Sequence, residues 1–194
     1  MEMPRDSFED ASDDALLVLY ANGDVAAARS LTARLTPKVF GHAFRMLGDR
    51  AEAEDIAQEA LIRLWKQAPN WRQGEAKVTT WLYRVVANLC TDRLRRTRGV
   101  ALDAVPEPED DAVSAAEAMQ NQARTDALQL ALNQLPERQK QAVILRHIEG
   151  LANPEIAEIM DVGVEAVESL TARGKRALAK LLAGRKDELG YSDG

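Results

Sequence analysis

The sequence predicts an all-α protein of two small helical domains, and three observations support this prediction. Leu and Ala dominate the 194 residues, Gly is sparse at 11, and β-branched runs are short, a composition that favours helices. Apolar residues recur at helical spacing on both sides of residues 99–123. That segment has two prolines and six acidic but no basic residues, as flexible linkers do. We expect domains at 1–98 and 124–194; a solvated loop within one domain is the alternative.

The first two helices are predicted from residues that favour starts and stops. Ser12 can cap a helix over residues 14–22. The next helix is expected over residues 25–47, where Pro37 allows an interruption. A glycine that can end the helix follows each of them, namely Gly23 and Gly48.

Two further helices complete the first domain. After Asp49 a helix covers residues 51–66, with an amphipathic stripe at i, i+4 and i+8. The stripe consists of Ile56, Ala60 and Leu64. Pro69 and Gly74 mark a loop over residues 70–79. A long helix follows, for which Thr79 or Thr80 is the expected cap. Its predicted inward positions are Leu82, Val85, Val86 and Leu89.

The second domain reads as four helices. The first covers residues 124–134, and Pro136 opens a second that extends to Glu149 before Gly150. Asn153 is the expected cap of the third helix, again with a proline in its first turn. Residues 161–163 form the turn before the last helix, which runs from Val164 to about Leu182. Two short helices joined by such a turn are the arrangement by which many proteins place a helix in the DNA major groove.

The last helix has two contrasting faces. Apolar or small residues line the inward face at helical spacing: Val167, Leu170, Gly174, Leu178 and Leu181. The opposite face is small, polar and basic, and its members are Glu165, Glu168, Ser169, Ala172, Arg173 and Arg176. Small residues let a helix enter the groove, and Arg173 can reach phosphate or guanine. Lys175 adds a further positive charge. An ordinary surface helix of mixed charge is the alternative.

The helix over residues 51–66 carries an acidic patch beside an apolar edge. Asp55, Gln58, Glu59 and Ile62 project near one another at i, i+3, i+4 and i+7. Such a patch suits a basic helix of a partner protein. Acids near a helix N-terminus also stabilise the helix itself through its dipole, which is the structural alternative.

The long helix that follows has a polar face on which Arg84, Asn88 and Arg95 recur, with Arg96 alongside. The arginines can bind phosphate and Asn88 can hold an exposed base. Two tryptophans near its start, Trp71 and Trp81, offer stacking surfaces to unpaired bases. The structural alternatives are core tryptophans and an arginine run that only solvates a helix end.

Composition and charge restrict the classes of function. A single cysteine excludes an intramolecular disulfide, and with two histidines it is too little for a zinc site. No secretion signal and no membrane-spanning run is evident, so a cytoplasmic protein without membrane insertion is expected. Metal-carboxylate and Ser- or Cys-His constellations are absent, which argues against an enzyme. The net charge of −6, with clustered arginines, indicates weak DNA binding that a partner must strengthen.

Three segments together resemble the extracytoplasmic-function (ECF) sigma factors of bacterial RNA polymerase. AEDIAQEALIRLW resembles the polymerase-binding stretch of region 2, and VTTWLYRVVANLCTDRLRR the stretch that recognises and opens the −10 element. LNQLPERQKQAVILRHIEGLANPEIAEIM followed by VEAVESLTARGKRAL resembles region 4, which reads the −35 element. The resemblance implies a promoter-specific initiation factor that is stress-responsive and controlled by an anti-sigma factor.

The resemblance also implies roles for individual residues. Three residues match contacts to the β′ clamp of core polymerase: Asp55, Gln58 and Glu59, with Ile62 beside them. The β flap of the polymerase is a second expected partner. Residues 70–79 match the loop that captures a flipped promoter base. Asn88 matches a position near the −10 strand, and Ser169 and Arg173 match −35 contacts. Together with the residues read from the helix faces, the expected −10 contacts are Trp71, Arg84, Asn88, Arg95 and Arg96. The expected −35 contacts are Ser169, Ala172, Arg173, Lys175 and Arg176.

No cofactor is expected, and any zinc would belong to an anti-sigma partner. The chain departs from the family pattern in region 4, where Ala166, Glu168 and Leu170 replace a threonine and two basic residues. The remaining alternative is a free-standing helix-turn-helix regulator, which would bind palindromic sites as a dimer.

Overall fold

The computed structural model describes residue 8, residues 10–100 and residues 117–183, with side chains over 8, 10–97 and 122–183. These residues form helices and no strand, which confirms the predicted all-α class. They divide into two compact units. One is built from residues 8–44 and 50–93, and the other from residues 45–49 and from residue 94 onward. Most of the predicted linker, residues 101–116, lies outside the described residues, as do residues 184–194.

Eight α-helices fall within the described residues. Their bounds are α1 Asp13–Ala21, α2 Val25–Leu47, α3 Arg50–Gln67, α4 Val78–Val100, α5 Glu117–Asn133, α6 Glu137–Val143, α7 Asn153–Met160 and α8 Val164–Ala183. A 3-10 turn, Ala68–Asn70, follows α3, and a π-helical turn, Ile144–Ile148, continues α6. The ends of the predicted linker are therefore helical, because α4 includes Gly99 and α5 begins before the predicted residue 124.

The predicted starts and stops of α1 and α2 are confirmed. The Ser12 hydroxyl accepts a hydrogen bond from the Ala15 N–H at 3.1 Å. Gly23 and Gly48 adopt φ of +98° and +74° after the two helices, a conformation that glycine adopts without steric cost. The start of α2 has a cap that the sequence reading omitted. The Asp24 carboxylate accepts from the N–H groups of Ala26 and Ala27 at 2.8 and 3.0 Å.

Helix α2 is continuous through Pro37, so the interruption considered there does not occur. A proline inside a helix costs about 3 kcal/mol. Leu31, Leu35 and Val39 surround this position in sequence and are at most 1% exposed. Burying each of these side chains contributes roughly 1.5–3 kcal/mol, so their combined burial outweighs the loss at Pro37.

The predicted cap of α4 is wrong. The helix begins at Val78, before Thr79 and Thr80, and Thr80 is buried inside it. The Val78 N–H donates instead to the Asp14 carboxylate, at 3.2 Å. This acceptor comes from α1, so no local pattern around the helix start indicates it.

The buried face of α4 is also rotated from the prediction. Leu82 and Val86 are buried as expected, whereas Val85 and Leu89 are partly exposed. The other buried positions are Tyr83, Ala87 and Cys90. The ring of Tyr83 lies edge-on to the buried His42 of α2, with centroids 5.2 Å apart. These contacts fix α4 against α2 and determine which side of α4 remains exposed.

The helix-turn-helix of the second unit forms at α7 and α8. Asp161 ends α7 in the left-handed conformation, with φ of +52°, and the Val162 N–H donates to Ala157 O at 3.0 Å. The predicted cap Asn153 is wrong by one residue, because Ala152 holds the cap position and its N–H donates to the Glu155 carboxylate at 3.1 Å. Pro136 was expected to open the next helix, but it holds the cap position just before Glu137, the first residue of α6.

Gly174 marks a close approach of α8 to α6. A Cβ atom at this position would lie 2.6 Å from Val143 Cγ2 and 3.0 Å from the Gln139 carbonyl oxygen. Real Cβ atoms do not approach neighbours this closely, so a side chain here requires α8 to shift. Val167, two turns earlier, is also fully buried.

Gly174→Ala is expected to destabilise the second unit by about 1–3 kcal/mol, the usual cost of overpacking a core. Chemical denaturation followed by helical circular dichroism measures this change. The control is Gly163→Ser, since a Cβ at Gly163 meets no atom within 4 Å and serine is a good helix cap. Equal stability of both variants would contradict the tight approach at Gly174.

Candidate protein-binding and nucleic-acid-binding surfaces

The acidic docking face of α3 comprises Asp55, Gln58, Glu59 and Ile62. All four side chains are exposed, and Ile62 is 40% exposed despite being apolar. The opposite side of α3 packs into the first unit, as its buried residues Ile56, Ala60 and Leu64 were predicted to do. Burial of that stripe turns the acidic docking face outward, so the structure brings all four predicted residues together on one surface.

Helix stabilisation does not account for these acids. The favourable effect of the helix dipole falls off beyond the first turn. Glu52 is the only acid in the first turn of α3, and its carboxylate lies 2.5 Å from Arg93 Nη1. Glu59 accepts a hydrogen bond from Arg63 Nε at 2.8 Å, in a pair whose side chains are about half exposed. Exposed pairs of this spacing contribute only about 0.3–0.5 kcal/mol, so a cation of a partner can replace Arg63.

The polar face of α4 comprises Arg84, Asn88 and Arg95. All three are exposed and recur within about 40° around the helix axis. Arg96 is also exposed, but it lies about 100° further around the helix. Arg93, nearby in sequence, is half-buried and pairs with Glu52. The polar face therefore holds two arginines that none of the described ion pairs includes.

Trp71 and Trp81 pack against each other at the start of α4. Their ring centroids are 6.1 Å apart and the planes are nearly perpendicular, at 88°. Both tryptophan side chains are partly exposed. Neither ring is fully buried in the core, and neither is fully accessible for stacking with a base. The intervening loop contains Gly74 at φ +89° and a run of exposed residues from Arg72 to Glu75. The tryptophan pair thus fixes one end of this exposed loop.

The outer face of α8 comprises Ser169, Ala172, Arg173 and Arg176. Arg173 donates to the Ser169 hydroxyl from Nη2 at 2.6 Å and from Nε at 3.2 Å, and Arg176 Nε donates to Ala172 O at 3.3 Å. These bonds lay both guanidinium groups back along the helix toward its N-terminus. Because Val167 and Gly174 are buried on the other side, the outer face is turned to solvent.

Lys175 does not share the outer face of α8. It lies roughly 100° around the helix from Arg176, and it is close enough to His147 to affect its pKa. His147 is exposed at the π-helical turn beside Arg146, whose guanidinium donates to Leu151 O at 2.8 Å. Lys175 and Arg146 therefore form a basic group around His147.

Metal-binding groups and membrane-spanning helices were sought among the described residues. No group of three or more His, Cys, Asp or Glu side chains within them is arranged to hold a metal ion. None of the described helices is both long enough and apolar enough to cross a membrane.

Comparison with known proteins matches both units to parts of one protein class. Residues 31–100 match the family Sigma-70 region 2, and residues 125–178 match Sigma-70, region 4. The first match spans α3 and α4, and the second spans the helix-turn-helix.

Two curated relatives are similar along most of the chain. The ECF RNA polymerase sigma factor SigE of Mycolicibacterium smegmatis is 34% identical over 183 residues, which cover 90% of this chain and 70% of that protein. SigW of Bacillus subtilis, also an ECF RNA polymerase sigma factor, is 32% identical over 171 residues, covering 82% and 91% respectively. The chain therefore belongs to the ECF sigma factors of RNA polymerase, as the sequence motifs indicated.

A solved structure is similar in fold. The sigma factor RpoE of Bartonella quintana, crystallised with the anti-sigma factor NepR, superposes with a TM-score of 0.67 at 22% identity, covering 82% of this chain and 98% of that one. At this identity the likeness concerns the arrangement of helices.

The pKa of His147 is expected to lie below the ordinary value of 6.5, first because of partial burial and then because Lys175 and Arg146 repel the imidazolium. Because the folded pKa is lowered, the contribution of His147 to stability is present above the ordinary pKa and lost as the pH falls. An NMR titration of the His147 ring measures the pKa directly. Lys175→Gln should raise the pKa of His147. The control Lys180→Gln, more than one helical turn beyond Lys175 on α8, should leave this pKa unchanged.

Proposed function

We propose that this chain is an alternative sigma factor that binds core RNA polymerase through α3 and directs it to promoters through α4 and α8. The observation that carries the proposal is the separation of charge on a chain of net charge −6. An exposed acidic face on α3 and exposed basic faces on α4 and α8 lie on elements that match regions 2 and 4 of the family. The chain performs no catalysis of its own in this function, since the polymerase forms the phosphodiester bonds.

The acidic docking face fits a basic helix of the polymerase β′ clamp. Two carboxylates and one amide can accept or donate hydrogen bonds around Ile62, which supplies an apolar contact of the kind that anchors interfaces. Complementary charge speeds encounter and fixes the register of two helices. A nucleic acid is an unsuitable ligand here, because the carboxylates repel phosphate.

The polar face of α4 and the adjoining loop fit the −10 element. Arg84 and Arg95 supply phosphate contacts, while Asn88 between them can hydrogen-bond an exposed base edge. Trp71 and the loop over residues 71–77, shorter than the predicted 70–79 because α4 begins at Val78, offer a place for an unstacked base. Base stacking on an aromatic ring contributes about 1–3 kcal/mol, comparable with the cost of unstacking one step.

The outer face of α8 fits the major groove of the −35 element. Ala172 leaves room for the base pairs, and the guanidinium groups of Arg173 and Arg176 can reach phosphate or guanine. The β flap of the polymerase is the further partner proposed for the second unit. The acidic net charge keeps binding to free DNA weak, so selectivity arises only in the cytoplasmic holoenzyme.

An anti-sigma factor is the proposed regulator. Such a partner would inhibit by covering the acidic docking face or the DNA-binding faces, since each is exposed in the described residues. The Bartonella quintana relative in fold was crystallised with an anti-sigma factor, which supports this part of the proposal. Stress is the proposed class of inducing signal, by family resemblance.

The double variant Gln58→Ala/Glu59→Ala is expected to weaken binding to core polymerase by about tenfold or more, as loss of central interface contacts does. Promoter-specific run-off transcription from a promoter library should fall accordingly. The matched control is Glu54→Ala, which removes an exposed acid of α3 that is not one of the four docking residues and is already paired with Arg50. Stable core binding by the double variant would remove the docking role of α3. Binding of palindromic DNA without polymerase would favour the free-standing regulator.

The double variant Arg84→Gln/Arg95→Gln is expected to weaken promoter binding by the holoenzyme and to reduce its salt dependence. Each lost phosphate contact should lower the slope of log K against log salt by about one. Arg29→Gln, an exposed cation of α2, is the control and should leave the slope unchanged. An unaltered slope in the double variant would exclude α4 as a phosphate-binding surface.

A further inference from the structure

The residue at the cap position of α4 has a side chain that cannot cap a helix. Lys77 O accepts the first helical hydrogen bond, from the Trp81 N–H at 3.1 Å, so Lys77 occupies the cap position. A lysine side chain carries only donors and cannot accept a hydrogen bond from the N–H groups of the first turn. The Asp14 carboxylate of α1 accepts from the Val78 N–H instead, at 3.2 Å. The start of α4 is therefore held by a residue 64 positions earlier in the chain.

Helix α1 also contacts the other end of the loop that precedes α4. This loop covers residues 71–77, between the 3-10 turn Ala68–Asn70 and α4. Helix α1 packs against that 3-10 turn, in which Ala68 is buried. The C-terminal end of α1 is held in turn by an edge-on contact of Tyr20 with Trp65 of α3, with ring centroids 4.9 Å apart. Helix α1 thus contacts the elements on both sides of the loop.

The ion pair described inside the loop is too weak to fix its shape. It joins Arg72 and Glu75 at 3.5 Å, and both side chains are more than two-thirds exposed. Exposed pairs of this kind contribute little, because water screens them and ordering two long side chains costs entropy. The contact between Trp71 and Trp81 connects the first residue of the loop to α4, so it too depends on where α4 begins. The position of the loop therefore depends on what holds its two ends.

We propose that Asp14 is a positioning residue for promoter recognition, whose bond to Val78 holds the loop over residues 71–77 in the shape that receives an unstacked base. This inference rests on the proposed function of α4 and of that loop. Asp14 acts through the protein, since its carboxylate is engaged with the N-terminus of α4. When the bond is lost, the first turn of α4 frays and the Trp71–Trp81 contact opens. The affinity for DNA then falls in proportion to the fraction of molecules whose loop keeps the binding shape.

Asp13 provides a matched control on the same turn of the same helix. Both aspartates lie in the first turn of α1, where each stabilises that helix through its dipole. Asp13 pairs with Arg34 of α2, at 3.4 Å, whereas Asp14 bonds the start of α4. Loss of either acid weakens α1, but only loss of Asp14 releases the end of the loop.

The test measures binding of the holoenzyme, assembled from the full chain and core polymerase, to forked promoter DNA. The fork carries a promoter identified by run-off transcription, with its −10 bases unpaired, and one base at a time is replaced by an abasic site. Asp14→Ala should weaken binding to the intact fork by about fivefold, the factor that corresponds to the loss of one helix cap. On the fork that lacks the base held by the loop, Asp14→Ala should bind as the wild type does. Such non-additivity shows that the residue and the base act together.

Two further variants separate the hydrogen bond from the charge. Asp14→Asn removes the charge but keeps an oxygen that can accept from Val78, so its binding to the intact fork should stay within about twofold of the wild type. Asp13→Ala removes the neighbouring charge and should bind the intact fork as the wild type does. Binding to core polymerase alone, which uses the acidic docking face, should be equal in all variants. Circular dichroism checks that each variant is folded.

The indole N–H resonances of the three tryptophans report where the structure changes. Asp14→Ala should shift the signals of Trp71 and Trp81, which lie on either side of the loop. The signal of Trp65 should stay in place, because its contact with Tyr20 lies at the other end of α1. Replacing each tryptophan by phenylalanine in turn assigns the three signals.

Several results would overturn the inference and leave the proposed function standing. If Asp14→Ala weakens binding to the intact fork and to every abasic fork equally, lowers core binding, or shifts the Trp65 signal with the others, Asp14 only stabilises the first unit. Equal losses for Asp14→Ala and Asp14→Asn would assign the effect to charge and not to the bond with Val78. If the wild type shows no promoter-specific binding with core polymerase, the proposed function fails and the inference fails with it.

Discussion

The close approach of α8 to α6 at Gly174 is the constraint on which the proposed DNA-binding surface depends. The absence of a side chain there lets Val143 and the Gln139 carbonyl occupy the space that a Cβ would need. Together with the buried Val167, this contact fixes the rotation of α8 about its axis. A rotation by one residue, about 100°, would exchange the outer face for the side that carries Lys175. A glycine on the buried side of α8 therefore determines which side chains of α8 face solvent.

The first unit applies the same principle to a protein-binding surface. Helix α3 buries one apolar stripe and α4 buries another, so each has a single exposed side. The ion pair between Glu52 and Arg93 joins the two helices. The exposed side of α3 carries the acidic docking face, and the exposed side of α4 carries Arg84 and Asn88. The protein-binding and nucleic-acid-binding surfaces proposed for this unit therefore lie on different helices.

Local sequence signals predicted the fold class and most helix ends, because glycines, caps and apolar periodicity act within a few residues. The predictions failed where contacts between residues distant in sequence determine the structure. The N-terminus of α4 is held by Asp14, which is 64 residues away in sequence, so Thr79 and Thr80 were wrongly expected to cap it. The direction of Lys175 and the pairing of Arg93 likewise depend on packing. The motifs identified the surfaces, whereas the packing decides which residues each surface contains.

The net charge of −6 is consistent with the proposed function. An isolated DNA-binding protein needs positive charge, because phosphate contacts supply most of its affinity. A subunit delivered to DNA by a polymerase needs less, since its second contact forms within one complex at a high effective concentration. Specificity is a difference between affinities, so weak general binding to DNA can sharpen promoter choice.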